Sequence, residues 1–168
     1  MSASNLRKKG FTLVEILIVV VILGILAAIV IPQFTSASET AKASSLISQL
    51  QTIRSQLELY QVQHNGDYPA AGIQALVDGA TDWDALTEMS DLDGDIAGTD
   101  FGPYLQQPSR NPFEDATDVA AAAAADVGWV YDATTGAIYA VMETTKAAEV
   151  FPDKDDGDWT DDPDLRVY

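Results

Sequence analysis

Sixteen consecutive residues, Ile16 to Ile31, carry no charged or hydrogen-bonding side chain, and this run constrains the fold more than any other feature of the chain. As a helix, Phe11 to Ile31 would extend roughly 31 Å at ~1.5 Å per residue, enough to cross a hydrocarbon core. Arg7, Lys8 and Lys9 stand just before the run, and no further cation occurs until Lys42. Under the positive-inside rule that asymmetry keeps the N-terminus cytoplasmic and exports everything beyond Pro32. The apolar segment contains one anomaly, Glu15, because a carboxylate at membrane depth costs free energy and so demands a partner or a purpose.

An uncleaved anchor and an ordinary secretory signal cut near Ser36-Ala37-Ser38 or Thr40-Ala41 both account for the apolarity. Neither explains Glu15. The stretch Lys9-Gly10-Phe11-Thr12-Leu13-Val14-Glu15 resembles the class III leader of type IV pilins and pseudopilins. The resemblance implies cleavage between Gly10 and Phe11 by a prepilin peptidase, N-methylation of Phe11, and assembly roles for Phe11, Glu15 and Pro32. The physics agrees with it: glycine lies extended in a protease cleft without a side chain, and cutting there removes three cations while keeping the apolar helix. A new amine at Phe11 and Glu15 of a neighbour, each costly alone in an apolar surround, can neutralise one another.

Pro32 and Gly24 are the helix-weakening points of the segment, so a kink or local unwinding is expected near residues 28–32. Beyond the polar stretch Thr35 to Ser45, the residues Leu46, Leu50, Ile53, Leu57 and Tyr60 recur at spacings of four and three, flanked by Ile47. That spacing predicts an amphipathic helix with one apolar stripe, stopping at Asn65-Gly66. The remaining hundred or so residues suffice for one modest core against that stripe. Val127 to Tyr131 and Ala137 to Met142, joined by a short Gly-bearing loop, read as an antiparallel hairpin. Short helices are expected over Gly72 to Leu76 and Asp82 to Met89. Asp91 to Asp100 is too rich in Asp and Gly for regular structure, and the alanine run 120–125 reads as helix or spacer.

The fold expected is α+β and type IV pilin-like, a long N-terminal helix on a small antiparallel sheet. Its parts are a leader at 1–10, a transmembrane and assembly segment at 11–31, an amphipathic continuation at 32–64 and a globular domain at 65–168. Later residues resemble the major pseudopilins of type II secretion: Leu57-Glu58-Leu59-Tyr60, then His64-Asn65-Gly66-Asp67-Tyr68-Pro69 and Gly72-Ile73-Gln74-Ala75-Leu76. Gly102-Pro103-Tyr104-Leu105 and Asn111-Pro112-Phe113 echo that family's G-P-Y-L and D-P-W stretches, with Asn and Phe in place of the usual Asp and Trp. The Asp-rich insertion before Gly102 and the alanine run depart from the pattern. The chain has no cysteine, which favours a pseudopilin over the many pilins that pin a loop with a disulfide.

Without the leader, six cations face twenty-six acids. Such a surface repels nucleic acid and anionic lipid. The acids cluster at Asp91, Asp93, Asp95 and Asp100, and in a tail with Asp153, Asp155, Asp156, Asp158, Asp161, Asp162 and Asp164. Hard oxygen donors at alternate positions suit Ca²⁺, and the resemblance implies calcium in a C-terminal loop. Neither cluster has EF-hand spacing. His64 is the only histidine, which leaves no His-rich metal site and no Cys-His pair, and no phosphate-binding loop is present. An enzyme is not expected. His64 reads as a helix-end cap, and Trp83, Trp129 and Trp159 as core or subunit contacts.

The resemblance implies a pseudopilus subunit in the bacterial inner membrane, with a periplasmic domain, polymerising into a helical filament that drives export of folded proteins. A prepilin peptidase, minor pseudopilins, an inner-membrane platform and an ATPase would be its partners. Two other readings are a surface pilin for adhesion, motility or DNA uptake, and a membrane-tethered calcium-binding domain that never polymerises. An exported hydrolase stands further off.

Overall fold

The computed structural model describes residues 10–69, 83–96, 98–151 and 163–168, and divides into one unit up to Glu39 and a second from Thr40 to Tyr168. Helix α1, Leu13–Gln63, contributes to both. Within the first unit its apolar side chains face outward all round, from Ile16 at 51% exposure to Ile31 at 64%. None of that unit's described residues covers them. The helical assignment runs through Pro32 without interruption, so the unwinding expected at 28–32 is not present. Helical hydrogen bonding on the other faces carries the backbone past the one N–H that proline lacks.

In the second unit α1 is amphipathic as its spacing predicts: Leu46, Leu50 and Ile53 are fully buried, with Leu57 and Tyr60 nearly so. The helix ends where Asn65 and Gly66 both adopt positive φ, at 59° and 96°. Gly66 N–H then returns to the Gln61 carbonyl at 2.9 Å, a 6→1 bond of the Schellman type that occupies an otherwise orphaned acceptor.

The stripe packs against a four-stranded sheet, β1 (Val119–Ala120), β2 (Trp129–Asp132), β3 (Ala137–Met142) and β4 (Leu165–Val167), in the order β1-β2-β3-β4. The hairpin stands as expected, antiparallel with Trp129 opposite Ala140 and Asp132 opposite Ala137. The sheet as a whole is mixed rather than antiparallel, because β1 joins β2, and β4 joins β3, in parallel. Parallel neighbours need crossovers, which no hairpin signal announces. One is the return from β3 through helix α3, Thr144–Val150.

Helix α2 is short, Asp84–Thr87, inside the span expected to be helical. Turns at residues 92–93 and 96 follow α2, and Ser90 bridges Phe101. The alanine run is not helical: Ala120 ends β1 and the following residues form bends and a turn. Val119 and Ala120 gain ladder hydrogen bonds to β2, and tertiary pairing of that kind overrides alanine's weak helical preference. The helix expected at Gly72 to Leu76, and Trp159, lie outside the described residues.

Around this core, Trp83 and Trp129 meet edge to face with ring centroids 6.2 Å apart. Each indole N–H finds a backbone carbonyl, Thr117 and Ser109 respectively. Both tryptophans are therefore core residues with their polar handles satisfied.

Candidate functional site

The N-terminal segment assembles its chemistry from Gly10 to Glu15. Phe11 is exposed, at 81%. Thr12 stands one residue before α1, and its backbone N–H and hydroxyl both donate to Oε2 of Glu15, at 2.8 and 2.9 Å. Glu15 N–H in turn lies 3.2 Å from the Thr12 hydroxyl oxygen. This is a reciprocal capping box: threonine caps the helix, and the glutamate three residues on closes back over the entering backbone. The carboxylate also sits in the first turn, where the helix dipole favours negative charge. Glu15 is thus held in place by its own chain, one turn from the Gly10–Phe11 bond. Thr12 was not singled out in the sequence reading, although a threonine followed three residues later by an acid, ahead of an apolar run, is the signal that finds it.

The remaining predicted site residues do not join this cluster. Pro32 lies inside α1, and its neighbourhood is exposed. Asp91, Asp93 and Asp95 form a local loop in which Asp91 Oδ1 accepts the N–H groups of Asp93 and Asp95, each at 3.0 Å. That oxygen faces backbone donors, which a cation would not. Among the described residues no group of three or more His, Cys, Asp or Glu side chains converges on a metal-sized point. Asp153, Asp155, Asp156, Asp158 and Asp161 lie outside the described residues.

His64 does more than cap. Its Nδ1–H donates to the Tyr60 carbonyl at 2.8 Å, which leaves Nε2 to accept from the Ser90 hydroxyl at 2.9 Å. Its ring stacks on Tyr60 with centroids 3.7 Å apart. A serine hydrogen-bonded to a histidine has the form of an activated nucleophile, yet Ser90 is completely buried and the orienting partner is a carbonyl rather than a carboxylate. The pair ties the end of α1 to the loop before Phe101. Burial first, and then the neighbouring Tyr104 phenol and the charges of Asp91 and Asp67, push the Tyr60 phenol up to about 12.

Two further residues, Arg54 and Asn111, whose structural roles the sequence did not indicate, hold the second unit together. Arg54 reaches from α1 to Asp164 Oδ1 at 2.7 Å and to the carbonyls of Ile138 and Pro163. Asn111, fully buried, donates to the carbonyls of Gly128 and Val141 while its Oδ1 accepts from Phe113 N–H.

An apolar helix that opens on a capping box, with its first half uncovered and its second half roofed by a small sheet, defines the type IV pilin-like class of proteins. The prokaryotic N-terminal methylation motif matches residues 5–31, the same segment. Type II secretion system core protein G of Pseudomonas aeruginosa is 35% identical over 116 residues, which span 64% of this chain and 80% of that protein. The proteins of the same name from Pectobacterium carotovorum and Klebsiella pneumoniae are 40% and 41% identical over 44% and 42% of this chain, covering 48% and 51% of their own length. The chain belongs to the family of type II secretion system core protein G, the major pseudopilins. No solved structure matches it.

Proposed function

We propose that this chain is the structural subunit of a pseudopilus that drives export of folded proteins through the outer membrane. A prepilin peptidase cuts it between Gly10 and Phe11, Phe11 is methylated, and the mature subunits polymerise into a helical filament. The carrying observation is the division of α1: residues 16–31 stay apolar and uncovered, while the stripe from Leu46 to Tyr60 is already buried in its own chain. An uncovered apolar rod is stable in lipid, and equally stable against other copies of itself, so leaving the membrane for a filament interior exchanges one apolar surround for another.

In this reading the chain spans the inner membrane once, with the leader cytoplasmic and residues 65–168 periplasmic, as the charge asymmetry supports. It performs no catalysis. Minor pseudopilins, the inner-membrane platform and the secretion ATPase act on it as separate chains, and nucleic acid does not.

Mass spectrometry of the mature protein tests the processing step: a first residue at methylated Phe11 supports it, and a start at Met1 or beyond Pro32 rejects it. Glu15→Ala is expected to retain cleavage and membrane insertion yet stop filament formation. Normal filaments from that variant would remove the pairing of Glu15 with a neighbour's amine. The proposal extends to Ca²⁺ held by the tail carboxylates Asp153, Asp155, Asp156, Asp158 and Asp161, a reading supported by their hard oxygen donors and by the engagement of Asp91 Oδ1 with backbone N–H groups of its own loop. Calorimetric titration of the full chain with calcium chloride checks this, and heat unchanged by Asp155→Asn with Asp156→Asn would place the ion elsewhere.

A further inference from the structure

The chain holds three asparagines, Asn5, Asn65 and Asn111. The side-chain amide carbon of an asparagine is an electrophile within reach of the next residue's backbone nitrogen, and the two join into a cyclic imide if that nitrogen has a proton to lose. Pro112 follows Asn111 and has no N–H. Leu6 follows Asn5, and its branched side chain crowds the attack. Asn65 is followed by Gly66, the residue that hinders the attack least because it has no Cβ.

Asn65 and Gly66 are both exposed, and a Cβ on Gly66 would meet nothing within 4 Å, so the bond between them stands open to solvent. Glycine is required there by its φ of 96° alone. The turn that ends α1 and the reactivity of Asn65 thus have one cause. The folded chain nonetheless occupies the attacking atom. Gly66 N–H donates to the Gln61 carbonyl at 2.9 Å, and the Gly66 carbonyl accepts from Gln61 Nε2 at 3.2 Å, so one residue in the last turn of α1 clasps Gly66 from both sides. His64 is fixed as well, its N–H on the Tyr60 carbonyl and its carbonyl on the Asp67 N–H, each at 2.9 Å. Cyclisation requires the Gly66 nitrogen to leave Gln61 and swing towards Cγ of Asn65. That movement opens the last turn of α1, and helix ends open at lower free energy than a core.

We propose that Asn65 is a gated deamidation site, silent while the Gln61 clasp is closed and converted when it opens. Hydroxide takes the Gly66 amide proton as that nitrogen bonds to Asn65 Cγ, and the side-chain nitrogen, protonated by water, leaves as ammonia. A second water opens the imide on one side to aspartate or on the other to isoaspartate. Aspartate keeps the turn, since it tolerates positive φ. Isoaspartate inserts an extra methylene into the main chain, so Gly66 no longer makes both bonds to Gln61. A transient opening beside His64 is then recorded as a lasting one.

The full chain in detergent micelles at mildly alkaline pH is compared with the same chain in guanidinium chloride above its unfolding transition. Conversion is followed by mass spectrometry of the peptide containing Asn65, with isoaspartate told from aspartate by fragmentation. The folded chain is expected to convert at least roughly tenfold more slowly than the unfolded one. Gln61→Ala is expected to convert about threefold faster than the parent when folded, for the loss of one hydrogen bond, and at the parent's rate when unfolded. Gln61 is only partly buried, and an unchanged circular dichroism spectrum checks that the variant keeps its fold. Equal rates in the folded and unfolded parent would overturn the gate, and no conversion in the unfolded chain would overturn the site. An unchanged folded rate in Gln61→Ala would overturn the clasp. The measurement is made on unassembled subunits, so failure of the filament reading leaves it intact.

Discussion

Residue by residue, the side chains that organise this protein are polar ones at boundaries. Thr12 caps α1 and engages Glu15, and Thr12→Val is expected to lose about 1 kcal/mol of local helix stability, the usual worth of such a cap. Hydrogen exchange at the amides of Glu15 and Ile16 in micelles would then speed up roughly fivefold, and no change would deny the capping box. Arg54 pairs with Asp164 while both side chains stay about one-third exposed, 33% and 38%, so solvent screening leaves the ion pair itself little weight. The larger contribution is to the carbonyls of Ile138 and Pro163, which lose their donor when the guanidinium is removed. Arg54→Met is expected to cost about 1–3 kcal/mol in urea unfolding. Asn111 satisfies two buried carbonyls and accepts a backbone N–H inside the core, and Asn111→Ala is expected to cost about 2–4 kcal/mol for the same reason, multiplied. The bonds of Arg54, and those of Asn111 to the Gly128 and Val141 carbonyls, have no short-range signature. Arg54 and Asp164 are 110 residues apart, and the spacing of Arg54 alone marks only a polar helix face.

At the scale of elements, periodicity was informative and topology was not. The α1 stripe is legible because each of its members, Leu46 to Tyr60, obeys the 3.6-residue repeat, and Leu50→Ala is expected to cost about 2–5 kcal/mol as a fully buried leucine. The hairpin is legible because two β-rich runs flank a Gly-bearing turn. Gly136 is needed there twice over: its φ is 71°, and a Cβ would run into the Tyr68 ring. Asp132 locks the same turn, and the N–H of Thr134 and hydroxyl of Thr135 hold its carboxyl below the ordinary value of 3.8. A depressed carboxylate stabilises the fold fully above that ordinary value, and the contribution disappears as pH falls through the folded one. Stability by urea unfolding is therefore expected to drop on acidification below about pH 4, less steeply in Asp132→Ala. A slope identical in the two proteins would contradict the role of the turn. The parallel additions of β1 and β4 were not legible, since each is two or three residues long and owes its conformation to the strand it meets.

For the whole molecule the dominant quantity is charge. Six cations against twenty-six acids after leader removal mean that the mature chain repels itself. Sodium chloride screens such repulsion over a Debye length of about 10 Å at 0.1 M, so the thermal midpoint of the full chain is expected to rise between 0.05 and about 0.5 M salt. A flat or falling midpoint would show that the acids are already neutralised by bound partners. Sequence alone determined the membrane-length apolar helix, the processing motif and the identity of the apolar stripe, because all three are local: hydropathy, a short motif and a helical repeat need no knowledge of distant contacts. Only tertiary structure decided the mixed order of the sheet, the clamp at Arg54, and the buried roles of His64 and Asn111. Those features join residues tens of positions apart, and which distant groups meet is set by how the chain packs as a whole, a property no single segment encodes.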